Sequence, residues 1–314
     1  MLRDEVPPVP GLPSRPGPMA GPPIIDQVPA DRASGPRAAR LALVLGAGGV
    51  RGLAHVGVLE RLVEAGIRPD ALIGVSSGAL VAAAYAAAGW EPGRLAALGQ
   101  SMGPVSILER ILVGRWPQSL DGLVPAPGGW LGVLLDAIRG RSFEELRDGV
   151  RFLGVACFDT VTRSEVFFVT GGAHPAPSLS DAVLGSSALP MVCQSRSVHL
   201  NGTRMRLLDG GISRAVCVEP AFEPPVCAGS VLAVDLGVMR GFNERALDHR
   251  LRLEARWGDR LRLLKPSLES FGTVIMRRGD AVRIIDAGRN AVDATALEWC
   301  RRACAAVDAP EGVF

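Results

Sequence analysis

The chain of 314 residues has one lysine, Lys265, among 34 basic residues, one tyrosine, four histidines and no Cys-x-x-Cys pair. Each shortage excludes something. The net charge of +2 is too small for a dedicated nucleic-acid binder, and the arginine excess accompanies a high Ala and Gly content, as general composition bias does. The six cysteines (Cys157, Cys193, Cys217, Cys227, Cys300, Cys304) are scattered, which favours reduced core thiols over a disulfide framework. Cys300 and Cys304 lie one helical turn apart without a third ligand near them in sequence, so no metal site is expected. No run approaches the ~18 apolar residues needed to cross a bilayer. The start MLRDEVPPVP lacks the basic-then-apolar order of a signal peptide. The expectation is a soluble, cytoplasmic chain.

Proline is abundant only at the beginning. Residues 1–40 hold ten of the 24 prolines, with five arginines against four acids, and read as a disordered leader. The remaining stretch, residues 41–310, suits a single α/β domain, and a hydrophobic content of 48% is ample for its core.

Leu41–Leu45 is an apolar run ending in glycine, as a buried parallel strand would be. Leu53, Val56, Leu59, Leu62 and Val63 then recur at helical spacing. Pro69 and Asp70 break the chain, Ala71–Val75 reads as a second strand, and Ala79–Ala88 as a buried helix. This alternation of strand and helix predicts a mainly parallel sheet covered on both faces. Further strands are expected at Arg151–Ala156, at Glu165–Val169 in a central position, at Arg204–Leu208 and at Ser230–Val234. Short helices are expected around Ile107–Leu112 and at Trp130–Ile138. A charged helix is expected over Asn243–Leu264, and one or two more over Ala281–Ala306.

Gly74-Val75-Ser76-Ser77-Gly78 is a G-x-S-x-G between a strand and a buried helix, the setting of a nucleophile elbow that lifts the Ser76 hydroxyl out of the sheet. The glycines that follow the first strand fit neither nucleotide motif. Gly46-Ala47-Gly48-Gly49-Val50-Arg51 puts arginine where a dinucleotide fingerprint needs its last glycine, and no Gly-Lys-Ser/Thr follows. The turn does suit an oxyanion, with the amides of Gly48 and Gly49 facing a carbonyl attacked by Ser76. A serine nucleophile needs a base. Of His55, His174, His199 and His249, none stands in an evident strand-end loop. Asp209-Gly210-Gly211 follows the apolar run Met205–Leu208, and reads either as an ordinary turn or as a carboxylate presented at a strand end.

At these residues the chain resembles the patatin-like phospholipase family. Ala47-Gly48-Gly49-Val50-Arg51-Gly52 is similar to the family's Gly-Gly-Gly-x-Arg/Lys-Gly motif, with alanine at the first glycine. Gly74-Val75-Ser76-Ser77-Gly78 matches its nucleophile motif, and Asp209-Gly210-Gly211 its acidic motif. Leu53–Leu59 resembles the helix that follows the first motif, which makes His55 a helix residue and no base. Weaker likenesses lie at Asp159, Thr162 and Glu165, at Ser186-Ser187-Ala188-Leu189-Pro190 and at Leu232–Asp235. One departure is clear. After Asp-Gly-Gly the family commonly carries Asn and then Pro-Val, where this chain reads Ile212-Ser213-Arg214-Ala215-Val216-Cys217.

The resemblance implies a three-layer α/β/α fold with a mainly parallel central sheet, and a Ser76/Asp209 dyad that cleaves fatty-acyl esters through an acyl-enzyme. Gly48, Gly49 and Ser77 would form the oxyanion hole, with Arg51, Gly52, Gly74, Gly78 and Gly210 in support. Arg51 either contacts a lipid phosphate or braces its loop. The expected partner is a phospholipid or lysophospholipid, with no nucleic acid and no metal or other cofactor. Gly103–Ile138, with Ile107, Ile111, Trp116 and Trp130, is expected either to form part of a lid or acyl groove or simply to be buried. Arg240–Lys265, with eight basic residues against four acids, either rests on an anionic membrane surface or packs into the core. The alternatives are an acyltransferase using the same serine and a catalytically silent lipid-binding protein of the same fold.

Overall fold

The computed structural model describes residues 38–101, 105–106, 130–190, 195–237 and 251–305. The expected leader up to residue 37, the helix around Ile107–Leu112, Trp116, and residues 240–250 of the charged segment lie outside these. Ala39 is buried, and its N–H donates to the Val226 carbonyl at 3.0 Å.

β1 (Leu41–Leu45) lies between β2 (Ala71–Val75) and β8 (Ser230–Val234), parallel to both. Its alternate residues enter two different cores. Leu41, Leu43 and Leu45 pack with α1 (Leu53–Glu64), α2 (Ser77–Ala86), α3 (Pro92–Ser101) and α5 (Leu179–Ser186). The same core takes α4 (Trp130–Ile138), α8 (Asp280–Ala291) and α9 (Ala294–Ala305). Ala42 and Val44 face the opposite layer, a thin one made by α6 (Glu219–Phe222) and by the helix at 251–257, α7. Burial on both faces is why β1 and β2 read as unbroken apolar runs. The result is a mixed α/β fold with a mainly parallel sheet between helices.

β4 (Phe152–Asp159) extends the sheet beyond β2 and is where parallel order ends. β5 (Ser164–Val169) runs antiparallel along it from Gly154 to Asp159. A strand has two edges, so β2, paired to β4 as far as Ala156, must share the remaining edge with β7 (Thr203–Asp209), which begins its pairing at Cys157. β2 running up and β7 running down therefore meet tip to tip. β6 (Arg196–Leu200) completes a hairpin with β7. A two-residue strand, β3 (Val105–Ser106), pairs with β10 (Ile275–Met276) apart from the main sheet.

Two expectations are corrected. Glu165–Val169 is not central: among the described residues β5 pairs with β4 alone. Its weak alternation arises because both faces are covered, Phe168 entering one core and Val169 the other. Asn243–Leu264 is not one helix either. Helix ends at residue 257, Gly258 takes a left-handed φ of +49°, and β9 (Leu261–Leu264) joins the sheet parallel to β8. Leu261 and Leu264 thus belong to the cores. Arg260 gives its guanidinium to the carbonyls of Gly229 and Ala228, at 3.0 and 2.8 Å. No described helix is long and apolar enough to cross a membrane.

Candidate active site

Ser76 follows the tip of β2 and Asp209 ends β7, so the tip-to-tip arrangement along β4 brings together residues 133 positions apart. The Ser76 Oγ–H donates to Asp209 Oδ2 at 2.6 Å. Both are buried, at 4% and 3% exposure. Ser76 has φ +55° and ψ −123°, a conformation that side chains rarely adopt and that turns the chain directly from β2 into α2.

That strained residue is held from behind by a segment to which the sequence reading assigned no role. The Ser76 N–H donates to Ser186 Oγ at 2.9 Å, and the Ser186 hydroxyl donates in turn to the Ala156 carbonyl at 2.6 Å. The Ser187 hydroxyl donates to the Ser76 carbonyl at 3.3 Å. The Asp209 N–H donates to the Ala188 carbonyl at 3.0 Å. The resemblance of Ser186–Pro190 to a family run was the available signal. Its use, a shared support for serine and aspartate, depends on contacts that no local pattern encodes, those to Ser76 spanning 110 and 111 residues.

Asp209 Oδ1 accepts from the Gly211 N–H at 2.8 Å, so the carboxylate caps the short turn Gly210–Ile212 while Oδ2 faces Ser76. Burial pushes its carboxyl above the ordinary value of 3.8, against the opposing pull of the bonds from Ser76 and Gly211.

The glycine turn lies beside this pair. Gly49 has φ +57°, and an added Cβ would sit 2.0 Å from the Thr273 carbonyl oxygen, so only glycine fits. Among the described residues, the N–H groups of Gly48, Gly49 and Ser77 donate to no protein acceptor. Gly52, Gly74, Gly78 and Gly210 stand where chain segments touch. Added Cβ atoms would lie 2.4 Å from Ser77 Cβ, 2.4 Å from Ala79 Cα, 2.1 Å from the Leu45 oxygen and 2.6 Å from the Ala156 oxygen.

Arg51 braces this turn. Its Nε donates to the Phe271 carbonyl at 3.0 Å, and Nη1 to the carbonyls of Leu236 and Gly237 at 3.2 and 2.9 Å. A guanidinium so engaged ties the turn to two loops.

His55 is fully buried in α1, with Nε2 2.7 Å from the Gly46 carbonyl, which can only accept, so Nε2 carries the proton. Burial lowers its pKa to about 4, against the opposing effect of the Gly46 bond. His174 and His199 are exposed, and His249 lies outside the described residues. Of the expected lid, α4 buries Leu134, Leu135 and Ile138 in the main core.

A family model described as patatin-like phospholipase matches residues 43–222, more than half of the chain. An uncharacterized NTE family protein of Mycobacterium tuberculosis is 32% identical over 206 residues, 62% of this chain and 30% of that protein. Patatin-like phospholipase domain-containing protein 6 of Homo sapiens is 29% identical over 204 residues, 63% of this chain and 13% of its own length. A lysophospholipase of Aspergillus fumigatus is 57% identical over 44 residues, covering 14% of this chain and 3% of that protein. The chain thus spans less than a third of the curated relatives it matches. Among solved structures, VipD from Legionella pneumophila is similar with a TM-score of 0.47 at 13% identity, over 83% of this chain and 66% of that one. By the extent of the family match, the chain belongs to the patatin-like phospholipase family.

Proposed function

We propose that this chain is a lipid acyl hydrolase of the phospholipase A or lysophospholipase type, its catalytic unit a single domain over residues 41–310. The observation that carries the reading is the 2.6 Å bond from the Ser76 hydroxyl to the buried Asp209 carboxylate. Family membership supports lipid ester hydrolysis in general, and the name of the fungal relative favours a lysophospholipid substrate.

In this reading Ser76 Oγ attacks the acyl carbonyl carbon while its proton passes to Asp209 Oδ2. The raised pKa makes Asp209 a stronger proton acceptor than an exposed aspartate. The tetrahedral oxyanion takes hydrogen bonds from the free amides of Gly48, Gly49 and Ser77, each worth roughly 10²- to 10³-fold in rate. Asp209 returns the proton to the departing alkoxide, leaving an ester on Ser76. It then takes a proton from water as that water attacks the ester, and passes it to Ser76 Oγ as the acyl–Oγ bond breaks, which frees the fatty acid and restores both residues. His55 has no part in this, since its one N–H serves the Gly46 carbonyl. The chain would act at a lipid surface as a peripheral protein.

The test is fatty-acid release from mixed phospholipid and lysophospholipid vesicles, followed by mass spectrometry, for the parent, Ser76→Ala and Asp209→Asn. Release by the parent, abolished in both folded variants, is expected and identifies the lipid class. Equal release by Ser76→Ala overturns the assignment of the nucleophile. No release by the parent overturns the hydrolase reading in favour of the silent binding protein.

A further inference from the structure

The loop after Asp209 departs from the family pattern, and its central residue is Arg214. The Arg214 guanidinium pairs with Glu165 of β5 at 3.0 Å and with Glu219, the first residue of α6, at 2.8 Å. Arg214 and Glu219 are partly buried, so their pair is less screened than one on an open surface, whereas Glu165 is exposed. The backbone of the same loop is bound on both sides of that clamp. On the Asp209 side, the Arg214 N–H donates to the Gly210 carbonyl at 3.1 Å. On the other, the Ala215 carbonyl accepts from the Ala47 N–H at 2.7 Å. Packing reinforces the link: an added Cβ on Gly211 would be 2.8 Å from Ala47 Cβ, and one on Gly46 would be 2.9 Å from the Ala215 oxygen.

We infer that Arg214 is a positioning residue: by clamping residues 210–216 between β5 and α6 it sets both the approach of Asp209 to Ser76 and the placement of the Gly48–Gly49 turn. One cation thereby aligns the proton acceptor and the oxyanion donors, which come from strands far apart in sequence. The inference rests on the hydrolase reading above. It assigns to Arg214 the support of a loop in which the family's Asn and Pro-Val are absent.

The experiment compares the parent with Arg214→Gln, Arg214→Lys and Glu165→Gln. It measures steady-state hydrolysis, its pH profile, and the rate at which a fluorophosphonate labels Ser76, each per folded molecule as counted by circular dichroism and thermal unfolding. Misplacement by a fraction of an ångström costs roughly tenfold to 10²-fold in rate. Arg214→Gln is therefore expected to lose about that much kcat and labelling rate, with KM nearly unchanged. Arg214→Lys, which keeps the charge but not the fork, recovers part of the loss. Glu165→Gln, which leaves the Glu219 arm intact, is expected to fold and to show a smaller loss in the same direction. The bond from Ser76 holds the Asp209 pKa down, so loosening it moves the acid limb of the profile to higher pH. Unchanged labelling and an unmoved acid limb in folded Arg214→Gln, with the parent active, overturn this inference alone. An inactive, unlabelled parent overturns the hydrolase reading and this inference with it.

Discussion

Asp159 and Asp209 end neighbouring antiparallel strands, pairing with Leu207 and Cys157 respectively, and both are buried, at 0% and 3% exposure. Their donors differ. Asp159 accepts from the N–H groups of Arg206, Val161 and Thr162 at 2.8, 3.1 and 3.2 Å, and from the Thr162 hydroxyl at 2.8 Å. Asp209 accepts from one amide and from Ser76. Burial pushes both carboxyls up. At Asp159 the bonds from Arg206, Thr162 and Val161 outweigh burial and hold the pKa below the usual range, whereas at Asp209 they do not. Solvent exposure is alike, but Asp209 lies deeper among protein atoms and has fewer donors, and heavier desolvation and fewer bonds together leave its pKa raised where that of Asp159 is lowered.

The largest expected effect breaks the comparison at Asp209. Asp209→Asn should lower fatty-acid release by about 10³-fold. Its amide oxygen can still take the Gly211 N–H, and its NH₂ can donate to Ser76 Oγ, so the fold should survive. The native pKa is raised, so the native state holds its proton more tightly than the unfolded chain. Stability therefore falls as pH rises from about 3.8 through the native pKa, and stays low above it. Removing the charge should raise Tm at pH 8, as scanning calorimetry would read. A lower Tm there would mean that Asp209 is an anchor like Asp159.

Asp159→Asn is the mirror experiment. One amide oxygen cannot serve four donors, and each buried group left unsatisfied costs about 1–3 kcal/mol. A stability loss of at least about 2 kcal/mol in urea titrations is expected, with hydrolysis per folded molecule nearly unchanged. An equal loss of activity per folded molecule would erase the distinction between the two carboxylates.

The pH dependence sharpens the pair next. The limb of kcat/KM that rises with pH should lie above the ordinary aspartate value, because in the proposed reaction Asp209 must be ionised to accept the proton, and its pKa is raised by burial. That limb should not move in Asp159→Asn. The stability contributed by Asp159, a carboxyl with a depressed pKa, is present above about 3.8 and lost as pH falls through its native value. Activity and the stability contributed by Asp159 should therefore fail at different pH, activity first on acidification.

Why Ser76 and Asp209 can be located from sequence, while their supports cannot, follows from the range of the interactions. β1, β2, α1 and the elbow after β2 are legible because each carries its own period or glycine punctuation within ten to twenty residues. Asp209 is legible as a strand end. That β2 and β7 share one edge of β4 follows from β5 occupying the other, a fact of pairing and not of pattern. The same limit explains Glu165–Val169, where covered faces imitate a central strand. It also explains Leu261 and Leu264: their spacing fits a helix, but they lie beyond the Gly258 break and pair with β8. Ser186 and Arg214 also act on residues remote in sequence: the family-like run at Ser186–Pro190 and the changed pattern after Gly211 mark the two segments, but not what they hold.

A third buried titratable group, His55, should have the smallest effect, and it inverts the logic of both carboxylates because its native form is neutral. Nε2–H serves the Gly46 carbonyl, and Nδ1 is buried without a partner, so a second proton would place an unpaired charge inside the main core. The native pKa of about 4 lies below the ordinary 6.5. Between those values the unfolded chain binds the proton and the native state does not. Stability is therefore lost as pH falls from about 6.5 to about 4, by at most about 1.4 kcal/mol per pH unit. His55→Gln can keep the bond to Gly46 through its NH₂ and cannot be charged. Its Tm should lie close to the parent's at pH 8, and fall less than the parent's as the pH drops through that window. Parallel curves for parent and variant would show that His55 holds the Gly46 carbonyl without contributing to acid sensitivity.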